Sequence, residues 1–325
     1  MTPVLVQDSG AIKRMSKKRF ISVLKIAVTC ILFYFILIKL DIGLFFEAIA
    51  NALTDYFLIS VFWFVVWSFI EVLKFRSASM LTYSLSTSFK LVFVGLFFNN
   101  FLPSSVGGDG YKVYLMKQLG TSLKNGTAFV LSDRITGLLA LLALGVFGFA
   151  LHIESRVLIF QILENNSYQM ADKIIFLSLI AIFVLSGIAV FIFFKKIKKF
   201  INKNWKHFHH YFKKHGIQTF LWALLFQLSR ALAILYLAKC FGFELNLWAI
   251  FVVLFLMSTI TLLPVSLGGL GIREGTLVYL LYAYGMPLES ATAVALIHLA
   301  VILAKALIGG IIFLLYKKEN KMAAG

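Results

Sequence analysis

The sequence predicts an all-α polytopic membrane helical bundle, with about six full spans and two re-entrant broken-helix hairpins arranged as an inverted repeat. Three observations predict this fold class. Apolar residues make up 61% and charged residues 14% of the 325 positions, and the mean hydropathy is +0.92. Apolar runs long enough to cross a bilayer recur along the chain. One eleven-residue motif occurs twice.

The composition excludes an ordinary water-soluble domain, because such domains are about 45–50% apolar and about 25% charged. The formal net charge is +17, from 31 Lys and Arg against 14 Asp and Glu. In a membrane protein this excess arises from cytoplasmic loops enriched in Lys and Arg. We therefore expect membrane lipids as partners and no nucleic acid. Neither Cys30 nor Cys240 belongs to a metal-binding or disulfide pattern, so we expect no metal and no cofactor.

Six segments have the length and apolar character of membrane-crossing helices. They are, roughly, residues 21–40, 55–73, 126–151, 173–194, 217–238 and 288–316. Two further apolar arms, 89–102 and 246–263, each lead into a proline and a glycine cluster, and a short helical piece follows at 111–119 or 275–285. Broken backbone at membrane depth must be sheltered by protein or water, so we interpret both as re-entrant hairpins. The second arm is long enough to leave a full span as the alternative.

The basic residues predict the orientation of the chain. Five segments together hold 22 of the 31 Lys and Arg, namely residues 1–20, 74–90, 112–124, 195–214 and 317–321. Six crossings, with both hairpins returning to their own side, place all five segments and both termini in the cytoplasm. The predicted units are a basic N-terminus (1–20), one membrane domain (21–316) and a tail (317–325). We expect this domain to lie in the cell (cytoplasmic) membrane.

The internal repeat is the most informative feature of the sequence. Residues 102–112, LPSSVGGDGYK, match residues 263–273, LPVSLGGLGIR, at six of eleven positions, and both copies end on a basic residue. Repeat one covers about 55–151 and repeat two about 217–316. Three predicted crossings separate the copies, so they should enter the membrane from opposite faces. Secondary transporters with inverted repeats bind substrate where their broken helices meet.

Each motif suits an anion site. A proline ends the entering helix, a glycine pair allows a tight turn, and the next helix begins with unpaired N–H groups. Lys112 and Arg273 occupy matching positions and would favour a phosphate. The glycine pairs are Gly107, Gly108, Gly268 and Gly269. The alternative is that these glycines only let broken helices pack closely.

The repeat is asymmetric in its acids. Asp109 in copy one and Glu274 in copy two have no acidic counterpart in the other copy. We favour the interpretation that they neutralise Lys112 and Arg273, and proton coupling is the alternative.

Ionisable residues inside spans are costly and are therefore functional candidates. They are Glu71, Asp133, Arg134, Arg230, His298 and Lys305. Arg230, near the middle of its span, is expected to face a cavity, and Lys305 is suited to a lipid phosphate. Arg134 is equally suited to a substrate contact and to a structural clamp on a hairpin. Glu71 is explained at least as well by a solvated helix end, and His298 by hydrogen-bonded packing.

Three motifs carry a resemblance to a known family. They are the sequences at 99–109 (NNFLPSSVGGD), 132–137 (SDRITG) and 264–274 (PVSLGGLGIRE). The chain resembles the lysylphosphatidylglycerol synthase transmembrane-region family from about residue 20 onward. This family includes the flippase-like domain of multiple-peptide-resistance proteins and stand-alone relatives. Lys112 departs from the pattern, because arginine is often found there; lysine keeps the charge without a bidentate fork.

The resemblance implies that the protein moves a lipid between leaflets. We expect the head group to be polar or phosphate-bearing. In the full-length resistance proteins a soluble aminoacyl-transfer domain follows the membrane part. Because this chain stops at Gly325, we expect that synthase activity to be absent.

The leading hypothesis is a lipid flippase or transporter rather than an enzyme. Its candidate substrate-binding residues are Gly107, Gly108, Asp109, Lys112, Arg134, Arg230, Gly268, Gly269, Arg273, Glu274 and Lys305. One alternative is a membrane enzyme acting on a lipid-linked substrate, although the sequence shows no DxD motif and no nucleophile near a base. The other is a non-transporting scaffold for a lipid synthase or glycosyltransferase, docked by residues 195–214.

Overall fold

The computed structural model describes residues 40–101, 107–151, 215–261 and 268–322, together with positions 30, 34, 38 and 266. Within these ranges the regular secondary structure is helical. The helices are α1 (Ile42–Ala50), α2 (Thr54–Ala78), α3 (Leu85–Phe101), α4 (Gly107–Gln118), α5 (Leu123–Leu151), α6 (Ile217–Cys240), α7 (Leu247–Thr261), α8 (Ile272–Ala283) and α9 (Leu288–Met322).

Four of the described helices are long and apolar enough to cross a membrane. They are α2, α5, α6 and the segment Leu288–Leu315 of α9. Each corresponds to one of the predicted spans. The other two predicted spans, 21–40 and 173–194, lie outside the described residues apart from isolated positions. The described chain is therefore a helical membrane protein with several crossings.

Each of the two apolar arms forms a helix shorter than the spans, namely α3 and α7. Helix α3 precedes the first motif and α4 begins within it; α7 precedes the second motif and α8 begins near its end. Helix α7 has 15 residues and falls among the shorter apolar helices rather than the candidate spans. The prolines of both motifs lie outside the described residues.

The two glycine pairs differ in conformation. Gly107 and Gly108 were expected in a turn, but they form the first turn of α4. In the second copy Gly268 and Gly269 have φ angles of 55° and 84°, a region that favours glycine. The turn interpretation therefore fits copy two. In copy one the absence of a side chain serves packing instead, because a Cβ on Gly108 would meet the carbonyl oxygen of Gly95.

Helix α1 lies between the first two predicted spans, in a segment for which the sequence predicted no helix. Asp41 caps it, since the carboxylate oxygen Oδ1 accepts a hydrogen bond from the backbone N–H of Leu44 at 3.1 Å. Most of its large apolar side chains are exposed, including Ile42 and Phe46. A nine-residue helix cannot cross a bilayer, which is why a search for spans passes over it.

Helices α2 and α6 form a closely connected antiparallel pair. The Ser60 hydroxyl donates to the carbonyl oxygen of Ala233 at 2.9 Å. At the other end, the Ser77 and Thr219 hydroxyls lie 2.8 Å apart. Buried apolar residues of α7, α8 and α9 pack against this pair. The spans also expose large apolar side chains, as a lipid-facing surface requires.

Candidate functional site

Ionisable side chains from six helices come together in the bundle, and most of them are buried. We call this group the charged cluster; its cations are Lys74, Lys112, Arg134, Arg230, Arg273 and Lys305, and its carboxylates are Glu71, Asp109, Asp133 and Glu274. Cations thus exceed carboxylates by two. Charges at membrane depth are costly unless they are paired or functional. The pairing of each cation therefore shows which of them remain able to bind something else.

Helix α2 contributes one face to the cluster. Trp67, Glu71 and Lys74 follow one another at intervals of four and three residues, so their side chains lie on one side of the helix. Lys74 Nζ is 3.1 Å from Asp133 Oδ1 on α5. Lys305 Nζ is 2.7 Å from Glu71 Oε2 and 3.7 Å from the centre of the Trp67 ring. Two cations are thereby neutralised between spans.

Asp109 joins the hairpin helix α4 to the span α5. Arg134 donates to both of its carboxylate oxygens, from Nε at 2.9 Å and from Nη2 at 3.1 Å. Lys112 Nζ lies 3.8 Å from the same carboxylate. The Lys112 side chain runs across Gly95 of α3, where a Cβ would overlap it. Asp109 therefore neutralises two cations, and its contact with Arg134 has the bidentate geometry that arginine favours.

Arg273 is held in place by the residue that follows it. Its Nε donates to Glu274 Oε1 at 2.8 Å. The other carboxylate oxygen of Glu274 accepts the backbone N–H of Gly271 at 2.7 Å, at the start of α8. Glu274 is 1% exposed. The carboxylate thus fixes both the helix start and the guanidinium, and leaves Arg273 Nη2 unpaired among the described residues.

Arg230 differs from the other cations of the cluster in its partners. Its Nη1 donates to the Ser258 hydroxyl of α7 at 3.1 Å, and its guanidinium carbon is 5.9 Å from the centre of the Trp67 ring. Within the described chain it forms no ion pair, and it repels Arg273 electrostatically. Its buried Nε has no hydrogen-bond acceptor there, and the same holds for Trp67 Nε1.

The second repeated motif contacts the end of α3 beside this cluster. A Cβ placed on Gly268 would lie 2.8 Å from the backbone oxygen of Asn99 and 3.3 Å from Cα of Asn100. The Asn99 side chain accepts the backbone N–H of Gly108 at 2.9 Å. The end of α3 therefore contacts the glycine turn of the second copy as well as the start of α4.

The structure thus places all five predicted site cations in one cluster. Sequence reasoning left Lys74 out of the candidate site residues. For Glu71 it gave a solvated helix end as an explanation at least as good as a functional one, whereas Glu71 pairs with Lys305 between spans. The spacing of both residues from Trp67 was the signal that could have found them. His298 stacks on Trp67, with ring centres 6.0 Å apart, and its buried Nε2 has no partner among the described residues.

Comparison with known proteins gives one family. The family model described as lysylphosphatidylglycerol synthase TM region matches residues 22–310. No curated protein and no solved structure matches the chain. The family and the four long apolar helices both indicate a multi-pass membrane protein, and the family indicates a lipid-related role. Since the match extends over most of the sequence, the chain belongs to the lysylphosphatidylglycerol synthase TM region family.

Proposed function

We propose that the protein is a lipid flippase or transporter, which moves a lipid with a polar or phosphate-bearing head group between membrane leaflets. The observation that carries the proposal is a pair of arginines whose buried donors are unused. Arg230 Nε and Arg273 Nη2 have no acceptor in the described chain, although buried donors are ordinarily paired. A phosphate between them would accept these hydrogen bonds and offset the repulsion between the two guanidinium groups.

The helices around the cluster support transport rather than static binding. The proposed architecture has six spans and two re-entrant hairpins, in an inverted repeat with both termini in the cytoplasm. Helices α2 and α6, the first spans of the two copies, run antiparallel, as opposite insertion requires. Two broken helices in contact at the cluster match the place where inverted-repeat transporters bind substrate.

Within the proposed site the cations have separate tasks. Arg230 and Arg273 contact the head group, while the acyl chains remain in the bilayer. Lys112 and Lys305 line the path and are balanced by Asp109 and Glu71 while no lipid is bound. The sequence had assigned Lys112 to the head group beside Arg273. The unused donors favour Arg230 in that role.

Replacing Arg273 with alanine is expected to slow the transfer of an anionic lipid between leaflets by about tenfold or more, because a hydrogen-bonded contact to a charged group is lost. The measurement uses the purified chain in phosphatidylcholine vesicles that contain fluorescent phosphatidylglycerol. A membrane-impermeant reductant quenches the outer leaflet and reports the exchange rate. Lys117→Gln on α4, which is exposed and outside the cluster, serves as the control and should exchange lipid like the wild type.

The same preparation separates the three functional classes. A membrane enzyme would change the head group of an added lipid, which mass spectrometry of the vesicle lipids would detect. A scaffold for a lipid synthase or glycosyltransferase would leave exchange at the protein-free rate, with or without Arg273. Wild-type exchange that persists unchanged in Arg273→Ala would exclude the proposed site.

A further inference from the structure

Arg134 is far more exposed than the paired cations around it. Its side chain is 54% exposed, whereas the side chains of Lys74, Lys112, Arg273 and Lys305 are between 8% and 11% exposed. The carboxylate that binds it, Asp109, is only 13% exposed. The Arg134–Asp109 ion pair therefore joins the surface of the bundle to its charged interior.

The exposed surface beside Arg134 belongs to a membrane span. Arg134 lies eleven residues after Leu123, which places it about 16 Å along the axis of α5. Leu138 and Leu142 follow at intervals of four residues on the adjacent surface, and Leu142 is 45% exposed. In a span, such a surface contacts lipid. An arginine at its edge would be costly there without the carboxylate of Asp109.

A series of cations leads inward from this position. Asp109 binds Arg134 on the outside and lies 3.8 Å from Lys112 Nζ on the inside. Lys112 in turn interacts electrostatically with Glu71, which pairs with Lys305. If Asp109 released Arg134, Lys112 would still neutralise its charge. A phosphate at Arg134 would then lie next to Lys112. The interior of the cluster lies beyond Lys112.

From this geometry, and resting on the proposed transport function, we infer that Arg134 forms an outer subsite for the phosphate of a lipid that arrives sideways from the bilayer. Asp109 occupies the subsite while no lipid is bound. The lipid phosphate replaces the carboxylate on the Arg134 guanidinium, and Asp109 remains paired with Lys112. The competing explanation is a fixed clamp, in which the ion pair only holds α4 against α5.

The two explanations differ in what Asp109 does. A carboxylate that competes with the lipid lowers the affinity of the subsite, whereas a carboxylate in a clamp supports the structure. Arg134→Gln should raise the half-saturating mole fraction of fluorescent phosphatidylglycerol by about threefold or more, because a charge-assisted contact is lost. Asp109→Asn should lower it, because the competitor is removed. The measurement is the initial exchange rate of the full-length chain in phosphatidylcholine vesicles, as a function of the fraction of labelled lipid.

Lys124→Gln is the matched control, since Lys124 is exposed on the same helix and outside the cluster; it should leave the half-saturating fraction unchanged. Inorganic phosphate in the buffer should not compete, because the subsite opens to lipid; competition would assign it to a soluble anion. Shifts of Arg134→Gln and Asp109→Asn in the same direction, or no shift in either, would overturn the subsite. If Arg134→Gln does not fold, Arg134→Lys, which retains the charge without the bidentate fork, must show the rise. Absence of wild-type exchange would instead contradict the proposed function itself.

Discussion

Replacing Glu71 with glutamine is expected to lower the free energy of unfolding by about 3–5 kcal/mol, the usual cost of leaving one member of a buried ion pair without its partner. Lys305 Nζ lies 2.7 Å from Glu71 Oε2, and its side chain is 8% exposed. The Trp67 ring, 3.7 Å away, cannot neutralise the ammonium group. The measurement is denaturant unfolding of the purified protein in detergent.

The double variant Glu71→Gln/Lys305→Met is the control for this prediction. It removes both charges and keeps similar volumes, so most of the lost stability should return. This result would show that the single variant suffers from the unpaired Lys305 ammonium rather than from a change in shape. Equal stability of the single and double variants would contradict the assignment of Glu71 and Lys305 as a buried pair.

Gly309→Ala is expected to destabilise the protein by about 3 kcal/mol or more, at the upper end of the range for overpacking. Gly309 of α9 is buried against α3, and a Cβ there would overlap the backbone oxygen of Phe93. Backbone cannot rotate away as a side chain can, so α3 and α9 would have to separate. Small residues are what allow membrane helices to approach this closely.

Gly310→Ala provides a matched comparison one residue along the same helix. Its Cβ would lie 2.9 Å from the Phe97 ring, a side chain that can move. Both variants gain the same helix propensity, about 1 kcal/mol, so the difference between them isolates the backbone contact. In thermal unfolding, the melting temperature of Gly309→Ala should be well below that of Gly310→Ala. Similar melting temperatures would contradict the close packing of α3 on α9.

Hydropathy predicted the four described spans but not where α2 ends. The predicted span over 55–73 stops before Lys74, because a charged residue ends an apolar window. The helix continues to Ala78, since Lys74 lies 3.1 Å from Asp133 inside the bundle. A charged residue that is paired with another helix therefore resembles a helix end when the sequence of its own helix is considered alone. The same reason hid Lys74 from the list of candidate site residues.

The repeat correctly predicted that its two basic residues come together, but it did not predict the backbone conformation of its glycines. The matched positions Lys112 and Arg273 both belong to the charged cluster. The matched glycines differ, because Gly108 is helical and packs on Gly95 whereas Gly268 lies in a turn against Asn99. Identical residues in two copies can thus serve packing in one and turn geometry in the other.

The pairing of charges between helices could not be read from spacing. Asp109 was expected to neutralise Lys112, three residues along its own helix, but its closest contact is Arg134 of α5. Glu274 pairs with the neighbouring Arg273, a contact that the sequence does suggest. Contacts between distant segments depend on how the helices pack, and a single sequence does not encode that in its periodicity.

In the proposed transport site, Arg230 and Arg273 bind the same lipid phosphate. The most direct test is a double-mutant cycle on leaflet exchange of fluorescent phosphatidylglycerol, with Arg230→Gln, Arg273→Gln and the combination. Lys239→Gln, on the same helix as Arg230 and paired with Glu244 at 3.7 Å, is the control. The exchange rate of each single variant should fall by about tenfold or more. The rate of the double variant should fall by much less than the product of the two single losses, because contacts to a shared phosphate are not additive. Wild-type exchange in Arg230→Gln, or fully additive losses, would contradict the claim.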